Sequence, residues 1–325
     1  MYTPSPARLP ESLNLEPILS SLDALDAVLQ DVSAVGFPLV ADVVRAAFAS
    51  GGKRLRPSVA LLTGQIVHAP KDTTLALAAA VETLHVASLV HDDLIDQSLI
   101  RRGHPTLNAV LSAETTVLAG DYLFARAAAF AADTLNPRVV QAFSECLMDM
   151  CAGELGQLAQ RRVVPPSRDD YLRRIHSKTA VLFATASSAA GVLGGASEQE
   201  IALLRQYGEN VGVAFQISDD ILDFAGDPDV LGKPIGADIR RGTVTLPVLY
   251  AADIADLPLA QALAGEQWAI ETVIEAVVTS DALDLARADA ERYAAAAVSC
   301  LSWFSAGSAR QTLEALADFS VRRVA

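Results

Sequence analysis

The pattern Asp-Asp-X-X-Asp occurs twice in this chain, at residues 92–96 and 219–223. Each copy comes at the end of a long, mostly apolar stretch of the kind that fills protein interiors. On a helix, the first and last aspartates of a copy lie one turn apart on the same face, at about 6 Å. Like charges in that arrangement are destabilising, and burial increases their repulsion. The repeat therefore favours folds in which two acidic helix ends bind cations.

A divalent cation is the expected partner of these carboxylates. Mg²⁺ prefers oxygen ligands and is usually held by one or two carboxylates together with substrate phosphates. We therefore expect the two motifs to hold a polyphosphate through several Mg²⁺ ions. For a single copy, a solvated acidic helix face is the alternative. The repetition after two apolar segments argues against that alternative.

Composition limits the remaining classes of protein. The chain has 325 residues, 51% of them hydrophobic, and no evident linker, so we expect one large domain spanning 1–325. Its net charge of −14 argues against a nucleic acid or an anionic membrane surface as the main partner. The three cysteines form no metal-binding or disulfide pattern. The N-terminal sequence does not have the pattern of a signal peptide, and we expect a cytoplasmic protein.

The secondary structure is predicted to be helical nearly throughout. Ala, Leu, Glu and Arg are frequent and strand-like alternation is scarce, which predicts an all-α fold of roughly ten or more helices. One helix is predicted from Asp72 through the first acidic motif, and a second from Arg205 to Phe224. The uncharged segment 179–196 is rich in small residues, so we predict a buried helix and no transmembrane segment.

Basic residues are grouped near the first acidic motif. Three cations at 53–56 follow the glycine pair 51–52, which would let the backbone approach an anion. Arg101-Arg102 comes shortly after the motif, and arginine can bind a phosphate through two parallel hydrogen bonds. His85 lies two helical turns before Asp92. Separately these residues could be a loop, a helix end and a core histidine, but together they predict an anion-binding region.

Nine segments, in order along nearly the whole chain, carry a resemblance to a known family. They are GGKRLRP at 51–57, ETLHVASLVHDDLID at 82–96, RRGHPT at 101–106, GDYLFARA at 120–127, GELGQL at 153–158, KTA at 178–180, FQISDDILD at 215–223, GKPIGADI at 232–239 and TLP at 245–247. The chain resembles the trans-isoprenyl diphosphate synthases, or polyprenyl synthetases. The resemblance implies a single helical bundle around a central active-site cavity, usually a homodimer, that condenses isopentenyl diphosphate with an allylic diphosphate.

The resemblance also implies a role for each matching position. Both acidic motifs and Lys178 would be catalytic, with Asp92, Asp96 and Asp219 as Mg²⁺ ligands and Asp93, Asp220 and Asp223 as secondary ligands or orienting groups. The isopentenyl diphosphate pocket would contain Lys53, Arg56, His85 and Arg102. The allylic diphosphate would contact Arg101, Lys178, Thr179, Gln216 and Lys233. One departure is Thr243, where the family often has a lysine, so allylic binding would depend more on Lys178 and Lys233.

Product length is predicted from the helix that carries the first motif. A growing chain would pass Ser88 and Ala87 at one turn from the motif and Leu84 at two, and each turn is about 5.4 Å long. Short-chain members resemble tubes plugged by aromatic residues just before the motif, whereas Ala87 and Ser88 are small. We therefore predict a product longer than four isoprene units. The alternative is that both residues are small only for helix packing.

Several other functions remain open from the sequence. A geranylgeranyl diphosphate synthase would perform the same chemistry with a shorter product. A terpene cyclase of related fold would usually keep only one clear acidic motif, so the second copy argues against it. A non-catalytic subunit of a heteromeric synthase would be expected to lose acidic or basic site residues, and both acidic motifs are complete here.

Overall fold

The computed structural model describes residues 13–32, 38–49, 53–101, 104–160, 166–226 and 234–322. These residues are helical nearly throughout, which confirms the all-α prediction. The α-helices are α1 Leu19–Asp31, α2 Pro38–Ala49, α3 Leu55–Ile66, α4 Lys71–Ile95, α5 Leu107–Val110, α6 Ala113–Asp133, α7 Pro137–Gln160, α8 Arg168–Ile175, α9 Val181–Leu193, α10 Glu198–Ala225, α11 Ala237–Arg240, α12 Leu246–Ile254, α13 Leu259–Leu263, α14 Gln267–Thr279, α15 Ala282–Cys300 and α16 Ser308–Arg322.

Short elements of other types join these helices. Residues Glu16–Ile18 and Leu301–Trp303 form 3₁₀ turns, and His176–Ala180 forms a π-helical turn between α8 and α9. A small antiparallel ribbon pairs β1, Ile100–Arg101, with β2, His104–Pro105. The composition gave no indication of this ribbon, because strands of two residues are too short to show an alternating pattern.

The residues group into two compact units. The first, called unit 1, contains the described residues up to Glu145 together with 185–205 and 303–313. The second, called unit 2, contains 146–184, 206–302 and the described residues from Glu314 onward. The first acidic motif belongs to unit 1 and the second to unit 2.

Unit 1 is organised around α4. This helix is apolar over most of its length and packs against α3 and α6. Leu77, Val81, Leu84 and Ala87 are fully or almost fully buried, as expected of a helix that is apolar nearly all round. By length and composition α4 alone among the described helices could cross a membrane, but 67% of its most apolar window is buried inside the protein.

Unit 2 owes its close helix packing to small residues. Ala282, Ala286, Ala290 and Ala294 recur every fourth residue along α15 and are buried. Residues at this spacing lie on one face of a helix. The absence of bulk on that face lets α12, itself almost entirely buried along Leu246–Ala251, pack closely against it.

The helix predictions hold with two corrections at their boundaries. Helix α4 begins at Lys71, one residue before the predicted start. Helix α10 begins at Glu198 rather than near Arg205, because Ser197 and Glu200 cap it: the Ser197 amide donates to Glu200 Oε2 at 2.8 Å, and the Glu200 amide donates to Ser197 Oγ at 3.3 Å. Segment 179–196 is buried over most of its length, as predicted.

Candidate active site

The first acidic motif occupies the last turn of α4 and the residue that ends it. Asp92 and Asp96 are half-buried, and Asp96 is the C-terminal cap of the helix. Asp93 is buried and bound by Arg101 of β1. Arg101 Nε donates to both Asp93 oxygens, at 2.9 and 3.1 Å, and Nη2 lies 2.8 Å from Oδ1. The second aspartate of this motif is therefore neutralised by a cation of the protein itself.

The second acidic motif lies near the end of α10 and likewise has a half-buried first aspartate and a buried second one. Asp219 is half-buried, whereas Asp220 and Asp223 are buried. The Tyr171 hydroxyl donates to Asp220 Oδ2 at 2.8 Å, and Gln216 Nε2 donates to Asp220 Oδ1 at 2.9 Å. Asp223 Oδ2 accepts from the Asp238 amide at 3.1 Å. The second and third aspartates of this motif are thus bound within unit 2.

Burial leaves Asp220 in an unusual electrostatic state. Burial, followed by the neighbouring Asp238 carboxylate, raises the pKa of Asp220 to about 7, although Gln216, Tyr171 and Arg174 oppose the shift. Burial also raises the pKa of Tyr171 well above its usual value, with the Asp220 charge as the next cause. The Tyr171 hydroxyl therefore stays protonated and donates to the carboxylate.

The donor set fits a divalent cation that substrate phosphates help to bind. Within the described residues, no three His, Cys, Asp or Glu side chains converge closely enough to hold a metal ion by themselves. Mg²⁺ rarely needs such a cage, because one or two carboxylates together with substrate phosphates and water complete its shell. Half-buried carboxylates of this kind occur in each unit: Asp92 and Asp96 in unit 1, and Asp219 in unit 2.

Two of the three basic residues after the glycine pair, Arg54 and Arg56, contact α4. Arg56 Nη1 lies 3.1 Å from His85 Nε2, so two residues predicted for one pocket are in contact. Lys53 is exposed just before α3. Arg102, predicted for the same pocket, lies outside the described residues, as do Gly51 and Gly52.

Three of the five residues predicted to contact the allylic substrate, Lys178, Thr179 and Gln216, lie among the described residues of unit 2. Lys178 and Thr179 lie in the π-helical turn, a feature often found at functional sites. Lys178 Nζ lies 3.3 Å from Glu154 Oε2 of α7, and the Thr179 hydroxyl donates to Gln216 Oε1 at 2.7 Å. Thr179, Gln216, Asp220 and Tyr171 thus form one continuous chain of hydrogen bonds. Lys233 lies outside the described residues.

The residues predicted to set product length lie on α4. Leu84 and Ala87 are fully buried within the protein, whereas Ser88 is half-buried and its hydroxyl donates to the His85 carbonyl oxygen at 2.8 Å. Ser88 is thus the more accessible of the two small residues. Phe215, one residue before Gln216, lies with its ring centroid 5.9 Å from that of Phe183.

A cleft of about 370 Å³ lies in unit 2 beside Thr243. The cleft is lined by Arg173 and Arg174 of α8, Ser177 of the π-helical turn, and Gly153 and Gly156 of α7. Arg174 Nη2 donates to the Val244 carbonyl oxygen at 2.7 Å. Among the described residues, the cations that line this cleft are therefore Arg173 and Arg174, beside Thr243.

Sequence reasoning missed two groups that hold the site residues. Tyr171 received no role, although a tyrosine flanked by apolar Leu172 and Ile175 at helical spacing indicates a buried ring. Glu82 also received none, although it is the charged residue in an otherwise apolar run of α4. A lone charge in such a run signals a buried ion pair, and Glu82 indeed pairs with Arg54.

The chain is similar to known proteins over most of its length. The family model for polyprenyl synthetase matches residues 37–279. The heptaprenyl diphosphate synthase component 2 of Geobacillus stearothermophilus is 38% identical, over 84% of this chain and 87% of its own. The octaprenyl diphosphate synthase of Escherichia coli is 33% identical, over 93% of each chain.

The fold is also similar to that of a solved structure. The polyprenyl synthase from Caulobacter crescentus, complexed with calcium and isoprenyl diphosphate, superposes with a TM-score of 0.90 at 34% identity, covering 96% of this chain and 97% of that one. The acidic motifs, the helical fold and these likenesses together make the chain a member of the polyprenyl synthetase family of prenyl-transferring enzymes.

Proposed function

We propose that this protein condenses isopentenyl diphosphate with an allylic diphosphate and releases an all-trans polyprenyl diphosphate of more than four isoprene units. One observation carries the proposal: both acidic motifs keep half-buried first carboxylates, while their second aspartates are bound by the protein. In such a motif the first carboxylate can bind a cation while the second aspartate keeps its hydrogen bonds to the protein. The hepta- and octaprenyl products in the names of the relatives favour a long product.

The proposed reaction needs charge stabilisation more than a nucleophile. Mg²⁺ bound to Asp92, Asp96 and Asp219 would act as a Lewis acid on the leaving diphosphate. The allylic carbon–oxygen bond breaks and its electron pair leaves with the diphosphate. The double bond of isopentenyl diphosphate then forms the new carbon–carbon bond, and a proton passes to the departing diphosphate.

The protein's own residues would support these steps. The allylic diphosphate would be bound by Lys178, Thr179, Gln216, Lys233 and Arg101. The three cations in this set would be fixed donors that stabilise charge as it develops. Lys53, Arg56, His85 and Arg102 would bind isopentenyl diphosphate. Phe215 would stabilise the carbocation with the face of its ring, and exclusion of water would prevent its quenching.

Product analysis tests the proposal directly. Purified protein would be incubated with Mg²⁺, labelled isopentenyl diphosphate and, separately, each allylic primer from five to twenty carbons. Polyprenols longer than twenty carbons after dephosphorylation are expected, and chelation of the metal should abolish them. A twenty-carbon product would keep the enzyme class and contradict the prediction that the small Ala87 and Ser88 let the product grow past them. No elongation by folded protein would indicate a partner-dependent subunit, since one relative is named as a component.

Product length has its own test on α4. We propose that Ser88, Ala87 and Leu84 line the path of the growing chain. Ser88→Phe is the better variant because Ser88 is half-buried, whereas a ring at the fully buried Ala87 would also overpack the core. Products shorter than those of the wild type are expected. Unchanged length in a folded Ser88→Phe protein would contradict this path.

We also propose a homodimeric, cytoplasmic enzyme in which residues 1–325 act as one catalytic domain. Leu99, Ile100, Val110 and Leu118, all in unit 1, are large apolar side chains that are mostly exposed, and a second copy could cover them. Sedimentation analysis should give a dimer, and Leu118→Arg should weaken it. A monomeric wild type at micromolar concentration would contradict the dimer.

A further inference from the structure

Arg54 has a backbone conformation that its neighbours must hold in place. Its φ of 51° and ψ of 32° lie in the left-handed region, which disfavours residues other than glycine. Non-glycine residues stay in this region only when surrounding contacts enforce it, and such positions cluster at functional sites. Arg54 lies between Lys53 and Arg56, two of the residues predicted to bind isopentenyl diphosphate.

The guanidinium of Arg54 supplies part of that enforcement. Its Nη1 lies 2.5 Å from Glu82 Oε1 on α4, and its Nη2 lies 3.4 Å from Asp26 Oδ1 on α1. The side chains of Arg54 and Glu82 are only 13% and 4% exposed. A guanidinium enclosed in this way by two carboxylates is directed into unit 1, and its charge is already compensated. It is therefore poorly placed to act as a third phosphate ligand.

The backbone of Arg54 supplies the rest. Its carbonyl oxygen accepts from the Ser58 amide at 3.0 Å and from the Ser58 hydroxyl at 2.7 Å, and Ser58 is fully buried in the first turns of α3. The residue is thus held through both its main chain and its side chain. The backbone conformation of Arg54 therefore determines the direction in which the chain passes from Lys53 into α3.

Two parallel contacts then tie this segment to α4. Arg54 binds Glu82, and Arg56 binds His85, three residues further along the same helix. Residues at that spacing lie on one face of a helix. The Arg54–Glu82 pair consequently sets the height along α4 at which the Arg56 guanidinium meets His85. Loss of the pair would free the strained residue and let Lys53 and Arg56 move relative to His85.

We propose that Arg54 is a positioning residue of the isopentenyl diphosphate pocket, acting through its buried pair with Glu82 rather than by touching the substrate. The proposal rests on the proposed function, because Lys53, Arg56 and His85 form that pocket only if the chain is a synthase. Arg54 should therefore influence the binding of isopentenyl diphosphate more than that of the allylic substrate.

Steady-state kinetics of Arg54→Gln and Glu82→Gln test this role. Each is expected to raise KM for isopentenyl diphosphate by about 10- to 100-fold, since small misplacements of binding groups have effects of this size. KM for the allylic substrate should change by less than about threefold. The double variant should be no worse than the worse single variant, because both changes break one pair.

The Glu82→Gln result separates positioning from direct binding. If Arg54 were a phosphate ligand, removal of a competing carboxylate would lower KM for isopentenyl diphosphate, and the proposal would be overturned. A purely structural role would lower the melting temperature and leave both KM values unchanged well below it, which would also overturn the proposal. Arg54→Lys should restore part of the affinity, because lysine keeps the charge but not the two-sided guanidinium contact.

Two controls complete the design. Arg45→Gln removes an exposed arginine whose ion pair is with Asp42 on the same helix, and it should change neither KM. If Glu82→Gln does not fold, Asp26→Asn takes its place, because Asp26 is the less buried partner; it should raise the same KM to a smaller extent. A wild-type protein without elongation activity would count against the proposed function, whereas unaffected KM values in active variants would count against Arg54 alone.

Discussion

The two acidic motifs have the same sequence pattern but are supported in different ways. In the first, Asp93 is bound by the cation Arg101, which is eight residues away in the chain. In the second, Asp220 is bound by two neutral donors, Tyr171 and Gln216, and its pKa is raised to about 7. The buried aspartate of one motif is held by a cationic donor, and that of the other by neutral donors. A short motif therefore predicts which carboxylates are present but does not predict their electrostatic environment.

The largest expected effect on activity tests the feature that the two motifs share, a half-buried first carboxylate. Asp92→Asn and Asp219→Asn each remove a half-buried carboxylate that we propose as a metal ligand. Loss of several kcal/mol of charge stabilisation corresponds to a decrease in kcat/KM of about 1,000-fold or more. Asp72→Asn, an exposed aspartate in the first turn of the same helix as Asp92, is the matched control and should be nearly neutral. Comparable activity of Asp92→Asn and Asp72→Asn would refute the metal assignment.

A pH titration should separate the two motifs next. Because the folded pKa of Asp220 is raised, the folded state binds a proton that the unfolded state has released at pH values between about 4 and 7. This group therefore contributes less stability as the pH rises through that window. In metal-free protein, Asp220→Asn should become progressively more stable than wild type from pH 4 to 7, by a few kcal/mol at most, and the difference should then level off.

The measurement is urea unfolding at a series of pH values in the presence of a chelator. Asp93→Asn provides the comparison in the other motif. It should lose stability at neutral pH, because a neutral side chain leaves the partly buried Arg101 without its counter-charge. A pH-independent difference between wild type and Asp220→Asn would contradict the raised pKa.

Removal of the donors should sharpen the same comparison. Arg101→Gln leaves the Asp93 carboxylate buried without a cation, and should decrease the free energy of unfolding by about 3 kcal/mol. Tyr171→Phe removes one neutral donor and leaves Gln216 in place, so a decrease of about 1 kcal/mol is expected. Chemical denaturation without substrate measures both. Equal decreases in the free energy of unfolding would mean that the Arg101 contact and the Tyr171 hydrogen bond stabilise their aspartates equally.

The smallest effects concern the helix contacts that flank each motif. A Cβ at Gly212 would lie 2.4 Å from Ala180 Cα, whereas a Cβ at Gly120 would lie 2.1 Å from Nε2 of the His91 side chain. A side chain can rotate away more easily than backbone can shift. Gly212→Ala should therefore destabilise the protein by about 2 kcal/mol and Gly120→Ala by about 1 kcal/mol.

Gly156→Ala is the control for both glycine variants. It lies within α7, and nothing lies within 4 Å of the added Cβ. Since alanine is the better helix former, this variant should keep or slightly raise the melting temperature. If Gly120→Ala proved more damaging than Gly212→Ala, His91 would be held more rigidly than the backbone at Ala180.

Much of the fold followed from local sequence patterns. The helical class and the two helices that carry the motifs were predicted correctly, because apolar periodicity and helix-forming residues are local properties. The predicted start of α10 was too late, because the sequence contains a capping signal, Ser197 followed three residues later by Glu200, that marks the earlier start. The ribbon at 100–105 was missed because each strand has two residues.

The sequence by itself determined that paired carboxylates stand one turn apart at two helix ends, since that spacing is a property of the helix. It also determined the family through motifs that extend along the chain. Only the tertiary structure decided which aspartates are buried and what binds them. Tyr171 lies 49 residues from Asp220, and Glu82 lies 28 residues from Arg54. Such partners meet only when helices pack, because burial and electrostatic pairing depend on neighbours that are distant in the chain.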